Sequence, residues 1–342
     1  MKIFYAIQAT GNGHISRAME LLPHLEQYGN VDIFLSGANS SLVLDAPIKY
    51  RSNGLSLFYN CNGGLNYWKM MKGYQPFRLK KEIHELPVEK YDLVINDFEY
   101  ITAASCAKKK IPSIQFGHQA SFRSVKTPRP GDKSSIGEWL LKNYAKASHY
   151  IGLHFEKYDD FIFHPVVKKE MLSAEPVDKN YTTVYLPSYC EPQLEQIFHP
   201  FKEFQFQIFS RETKQRKNSR NITFIPVDKS LFNKSLINCT GIITGGGFET
   251  PAEAIHLRKK IMSIPIRGQY EQLCNAAALE KLGIICLESI DENFPSAFYN
   301  WIEEKKPVGI DYSKTIPEAL EYLFSIHDKL NSESAEAATI VA

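Results

Sequence analysis

Cysteine is scarce and scattered in this 342-residue chain: Cys61, Cys106, Cys190, Cys239, Cys274 and Cys286 form no CxxC pair. That spacing excludes a zinc ribbon and a disulfide scaffold and fits a reducing, cytoplasmic compartment. No run of about 18 apolar residues occurs, so no segment is expected to span a bilayer. The apolar opening at residues 2–9 meets a turn too early for a signal peptide. Charge of one sign is missing too, since 40 Lys+Arg against 38 Asp+Glu leave +2, and nucleic acid is not an expected partner. Neither GxGxxG nor GxxxxGK[ST] appears, which removes the ordinary dinucleotide and P-loop fingerprints. No acidic DxD-like pair follows an apolar strand, and Asp159-Asp160 lies in a polar segment, so no metal or other cofactor is expected.

What is present is globular, with 44% hydrophobic and 23% charged residues. At roughly 150 residues per domain the length predicts two domains. Short β-branched runs alternate with helix-period segments, the pattern of parallel sheets covered on both faces. In the first half strands are expected at residues 2–9, 31–36, 91–97, 113–116 and 150–154, with helices at 16–28 and 100–109. In the second half strands are expected at 182–186, 205–209, 222–225, 241–244, 260–265 and 284–287, with helices near 192–201, 229–238, 250–258 and 272–282. Residues 156–180 read as a linker, and 316–330 as an amphipathic helix whose Ser/Glu/Ala-rich continuation frays. The expected division is 1–165, 166–315, and a C-terminal helix 316–342 returning to the first domain.

Two glycine clusters follow strands and precede helices: Gly11-Asn12-Gly13-His14 and Gly245-Gly246-Gly247. Ligands of open parallel sheets collect at the carboxyl ends of strands, where glycine permits close approach and a helix N-terminus offers free N–H groups. The second cluster suits a diphosphate; alternatively it is a plain strand-to-helix turn. Around it Glu249, Thr250 and Glu253, then Gln269, Glu271, Gln272 and Asn275, open two helices, where they can bind sugar hydroxyls or simply cap.

The string Ile243-Thr-Gly-Gly-Gly-Phe-Glu-Thr-Pro-Ala-Glu253, with Ile264-Pro265 and Gln269-Tyr-Glu-Gln-Leu-Cys-Asn-Ala276, resembles the donor signature of GT-B glycosyltransferases. The nearest likeness is to the peptidoglycan N-acetylglucosaminyltransferase group, family 28, and its uncharacterised relatives. Gly11 to Arg17, Asn96 to Glu99 and Gly117-His118-Gln119 resemble first-domain segments of the same group. The resemblance implies an α/β fold of two Rossmann-like doubly wound domains facing across a cleft, and a UDP-sugar donor. It implies that Glu253 holds the ribose, that Gly245, Gly246, Gly247 and Thr250 beside Phe248 hold the diphosphate, that Glu271 and Gln272 hold the sugar, and that the backbone around Ile225 reads uracil. Family 28 enzymes usually carry two glutamines where this chain has Glu271-Gln272, and a carboxylate accepts but does not donate hydrogen bonds.

The base for transfer is expected in the first domain. His14 leads, because an imidazole exchanges protons near neutral pH; it competes with a loop-anchoring role. Asp97 and Glu99 are rival bases or helix caps. On the acceptor side Gly11, Asn12 and Gly13 shape the loop, Arg17 binds an anion or snorkels, and His118 reaches the rim or serves the core. The aromatic and basic stretch 67–81, with Arg123, Lys126, Arg129 and Lys133, fits either anionic headgroups presenting a lipid-linked or cell-envelope acceptor, or solvated faces. A UDP-sugar 2-epimerase and a non-catalytic nucleotide-sugar binder are the alternatives.

Overall fold

A computed structural model of the chain describes residues 1–9, 11–37, 44–54, 75–305 and 307–341, the side chains of 334–341 excepted. Residues 67–74 of the aromatic stretch lie outside that range. The first half builds a seven-stranded parallel sheet from β1 (Lys2–Gln8), β2 (Asn30–Ser36), β3 (Ile48–Ser52), β4 (Leu93–Asp97), β5 (Ile114–Gly117), β6 (His149–Leu153) and β7 (Ile162–Phe163). Its order is β3-β2-β1-β4-β5-β6-β7. Ile3 to Ile7 are wholly buried, as a strand covered on both faces requires. Because β1 lies between β2 and β4, chain direction across the sheet reverses there, and the crevice at the carboxyl ends of β1 and β4 is the place where such sheets hold ligands.

Among the described residues, four α-helices serve this sheet: α1 (Asn12–Leu25), α2 (Pro76–Glu85), α3 (Tyr100–Lys109) and α4 (Ser135–Asn143). α1 buries Ile15, Ala18, Leu21, Leu22 and Leu25, the spacing that marked it in the sequence. It starts at Asn12, four residues before its expected start. Gly11 is its extended N-cap, so the glycine-rich segment is the first helical turn rather than a loop before it. The edge strands β3 and β7 were not expected; short edge strands carry little apolar pattern to read.

The second sheet comprises β8 (Thr182–Tyr185), β9 (Phe206–Ser210), β10 (Lys217–Ser219), β11 (Ile222–Pro226), β12 (Gly241–Thr244), β13 (Lys260–Ser263) and β14 (Ile285–Cys286). Its order is β10-β11-β9-β8-β12-β13-β14, parallel except for β10 against β11. The short α5 (Lys169–Leu172) interrupts the linker, and α6 (Glu191–Phe198), α7 (Lys229–Asn238), α8 (Glu249–His256), α9 (Tyr270–Lys281) and α10 (Phe294–Glu303) complete this half. The closing helix α11 (Thr315–Val341) returns to the first half, where Phe324 stacks on Tyr28 at 3.8 Å and Glu318 pairs with Lys157 at 2.7 Å. It runs past residue 330, through alanines and glutamates of high helix propensity. Phe122, Leu141, Tyr270 and Cys274 form a small apolar cluster that joins the two halves.

Candidate active site

Asp97 ends β4, and Phe98 after it sits in the left-handed region at φ 55°, an uncommon conformation for a bulky residue. The bend separates two neighbouring carboxylates. Glu99 turns inward as the N-cap of α3, accepting from the amides of Ile101 at 2.8 Å and Thr102 at 2.6 Å. It is fully buried and burial pushes its pKa up, an effect the Thr102 and Ile101 amides only partly offset. The structure thereby corrects the candidacy of Glu99 as a base: its oxygens are engaged by backbone and closed to an acceptor.

Asp97 faces α1. His14 and Arg17 stand three residues apart on that helix, hence on one face, and both reach the carboxylate. Arg17 donates through Nη2 to Oδ1 at 2.8 Å and through Nε to Oδ2 at 3.1 Å, while His14 Nδ1 lies 2.9 Å from Oδ1. Burial would raise the Asp97 pKa, but Arg17 and then His14 outweigh it and hold the carboxyl below its ordinary range. Arg17 is itself buried, and the attraction of Asp97 and Glu249 overcomes the cost of burying its charge. Arg17 is thus neither an acceptor-anion site nor a snorkelling surface residue. Its Nη1 reaches Glu249 of the second half at 2.8 Å. The two bends meet there: a Cβ on Gly13 would fall 2.4 Å from a Glu249 carboxylate oxygen, so glycine at 13 permits the approach.

The opposing rim is the bend 245–247 between β12 and α8. Gln272 accepts from the amides of Gly246 at 3.2 Å and Ile266 at 2.9 Å, and Asn275 donates to the Gly246 carbonyl at 2.9 Å. A Cβ on Gly246 would strike the Gln272 carbonyl at 2.7 Å, whereas one on Gly247 would meet nothing within 4 Å. The bend is therefore clamped from one side and open on the other. Gln272 and Asn275, expected to address a sugar, spend these groups on holding the bend. Phe248 is buried with its ring stacked on His118 at 3.8 Å, and Gln119 donates to Glu271 at 3.2 Å. His118 is buried, 2.7 Å from Asn275 across the cleft.

Glu253 is buried on α8 and pairs with Lys168 at 2.9 Å. Burial raises its pKa, and Lys168 opposes that rise. Thr250 lies half-buried in the first turn of α8, and Gln269 is the half-buried N-cap of α9. Ile225 lies toward the carboxyl end of β11, separated from β12 by β9 and β8. The sequence reading missed Lys168, which lay in a charged linker without period, and Tyr270, whose hydroxyl donates to Glu138 of α4 at 2.9 Å. Neither position carries a local signal, because each matters through a partner far away in the chain. Among the described residues no group of three His, Cys, Asp or Glu is placed to hold a metal, and no helix is long and apolar enough to cross a membrane.

Two Rossmann-like domains whose glycine bends face each other across a cleft define the GT-B class of glycosyltransferases. The chain belongs to glycosyl transferase family 1, whose model matches residues 1–300. It is a glycosyltransferase. Among solved structures it is similar to Arabidopsis thaliana UGT89C1 complexed with UDP (11% identity, TM-score 0.64, covering 96% of this chain and 99% of that one). It is also similar to Phytolacca americana UGT2 complexed with UDP-2fluoro-glucose and pterostilbene (13%, 0.58, 98% and 98%) and to the Streptomyces sp. SF2575 glycosyltransferase SsfS6 (13%, 0.56, 94% and 96%). At these identities the likeness is one of fold. A search of the curated proteins finds no match.

Proposed function

We propose that this enzyme transfers a hexose or N-acetylhexosamine from a UDP-sugar to an acceptor hydroxyl, with inversion and without a metal. The observation that carries the reading is the His14–Asp97 pair, 2.9 Å apart, with His14 on the first turn of α1, where Gly13 comes against Glu249 at the start of α8, just after the bend 245–247. His14 Nδ1 lies between Asp97 Oδ1 at 2.9 Å and Arg17 Nη2 at 3.0 Å; in the tautomer that donates Nδ1–H to Asp97, the lone pair of Nε2 takes the acceptor proton while the hydroxyl oxygen attacks the anomeric carbon. The bond from that carbon to the diphosphate oxygen breaks on the opposite side, and UDP leaves with the electron pair. With the Gly246 amide held by Gln272, the remaining amides of the bend and the start of α8 stabilise the developing negative charge, as a cation otherwise would. Arg17, shared between Asp97 and Glu249, offsets part of the repulsion that Glu249 would exert on a diphosphate. Glu253 accepts the ribose hydroxyls, with Lys168 moving aside. Family membership favours transfer over 2-epimerisation.

The likeness of residues 243–253 and 269–276 to family 28 supports a lipid-linked or cell-envelope glycan as acceptor. So does α4, which exposes Ile136 and Trp139 by 73% and 62% beside Lys133, a face suited to peripheral contact with anionic headgroups. The test is incubation with a panel of UDP-sugars, with and without lipid-linked and soluble glycans. UDP release that depends on acceptor, gives an inverted product, survives a chelator and collapses in His14→Ala with UDP affinity kept is the expected result. Full activity in His14→Ala refutes the assignment.

A further inference from the structure

His118 Nδ1 lies 2.9 Å from the carbonyl oxygen of Leu153, and Nε2 lies 2.7 Å from Asn275 Oδ1. The Asn275 amide is oriented by its other end, where Nδ2 donates to the Gly246 carbonyl at 2.9 Å. A neutral imidazole has one donor and one acceptor. If Nδ1–H serves Leu153, a neutral Nε2 meets the amide oxygen, acceptor against acceptor. Turning the amide over moves the same clash to Gly246. Only a ring protonated at both nitrogens satisfies all three contacts, and buried mismatched polar groups are costly.

The surroundings suit a cation. The ring stacks on Phe248 at 3.8 Å with planes 11° apart, and Phe122 meets it edge-on at 5.0 Å. Glu271, at the start of α9, lies 4.0 Å from Nε2, and Glu249 of α8 acts on the ring as a second negative charge. His154 of the segment after β6, 5.0 Å away, is held neutral by burial and by His118 and Arg129; its Nδ1 accepts the Phe155 amide. Asp97 and Arg17, beside Gly117, are paired with each other.

We propose that His118 is a positioning residue that acts as a buried imidazolium, tying the donor bend to the first domain through Asn275 so that bend and domain are joined only while the ring is doubly protonated. The positive charge then also lies beside the diphosphate, an inference that rests on the donor reading given above. Burial pulls the His118 pKa down and Glu271 and the two carbonyl oxygens oppose it, leaving it below the ordinary imidazole value. Compared with a ring equally buried but lacking the Leu153 and Asn275 oxygens, the tied ring binds its second proton more tightly, so falling pH favours the tie over that untied, still buried ring.

Long-range 1H–15N correlation spectra of the full chain between about pH 5 and 8 read the ring directly. The signal assigned to His118 by its loss in His118→Gln is expected to show both nitrogens protonated at the acidic end, distinct from those of the other nine histidines, and to become that of a neutral ring in Asn275→Ala, which serves should His118→Gln not fold. A ring with one bare nitrogen throughout overturns the proposal. UDP affinity of the wild type is expected to improve about three- to tenfold more than that of His118→Gln as pH falls; equal slopes overturn the tie. UDP that binds at no pH refutes the donor reading instead, while the ring spectrum still decides His118.

Discussion

Replacing Asp97 by asparagine keeps the shape of the side chain and removes its charge, and the hydrogen bonds fix the consequence. The carboxylate accepts from two Arg17 nitrogens and faces His14 Nδ1 at 2.9 Å. An asparagine has one oxygen. Arg17 offers only donors and claims that oxygen, which turns the amide –NH2 toward His14. Nδ1 must then accept, the proton moves to Nε2, and the atom that should take a proton from the acceptor already carries one. General-base catalysis contributes about 10²- to 10⁴-fold, so kcat should fall by that factor, roughly 2.7–5.4 kcal/mol at 1.36 kcal/mol per decade. Arg17 keeps Glu249 at 2.8 Å, so the loss of stability should stay below the roughly 3–5 kcal/mol of a fully orphaned buried charge. The assay is single-turnover UDP release beside calorimetric UDP binding and a thermal melt. A variant within about threefold of wild-type kcat, or one that loses UDP binding in proportion to rate, refutes the dyad.

Gly247→Ala should leave the melting temperature unchanged, since its Cβ enters open space, yet weaken UDP binding; Gly246→Ala should lower the melting temperature, because its Cβ meets the Gln272 carbonyl at 2.7 Å. Equal UDP affinity in Gly247→Ala and wild type would remove the diphosphate from this bend. Glu253→Ala should weaken UDP by about five- to tenfold, the worth of one or two hydrogen bonds, with little change in kcat measured at saturating donor. Glu99→Gln should cost about 1 kcal/mol of capping and leave kcat within about twofold. Folding raises the Glu99 pKa, so its contribution to stability is complete below the ordinary glutamate value and declines as pH rises through the raised one. Urea melts across that window should show the gap between wild type and Glu99→Gln closing with pH; a constant gap contradicts the burial argument.

The central strands of both sheets and helices α1, α3, α6, α7, α8 and α9 were legible in the sequence, because a strand covered on both faces must be apolar and a helix on a sheet must repeat every three to four residues, whereas edge strands β3, β7 and β10 and helices α2, α4 and α10 were not. Glycine clusters at strand ends were legible for the same local reason. The roles of the side chains around them were not. Nothing in residues 96–99 says that Phe98 takes a left-handed bend that sends Asp97 to α1 and Glu99 into the cap of α3. Nothing near Lys168 announces Glu253, 85 residues on, and His118 gives no sign of Asn275, 157 residues away. Periodicity and backbone conformation are properties of neighbours along the chain, so the sequence by itself determined the layers and the two bends. Which carboxylate is charged, which is a cap and which histidine lies between two acceptors depend on desolvation and on partners brought from the other domain, and only the tertiary structure supplies those.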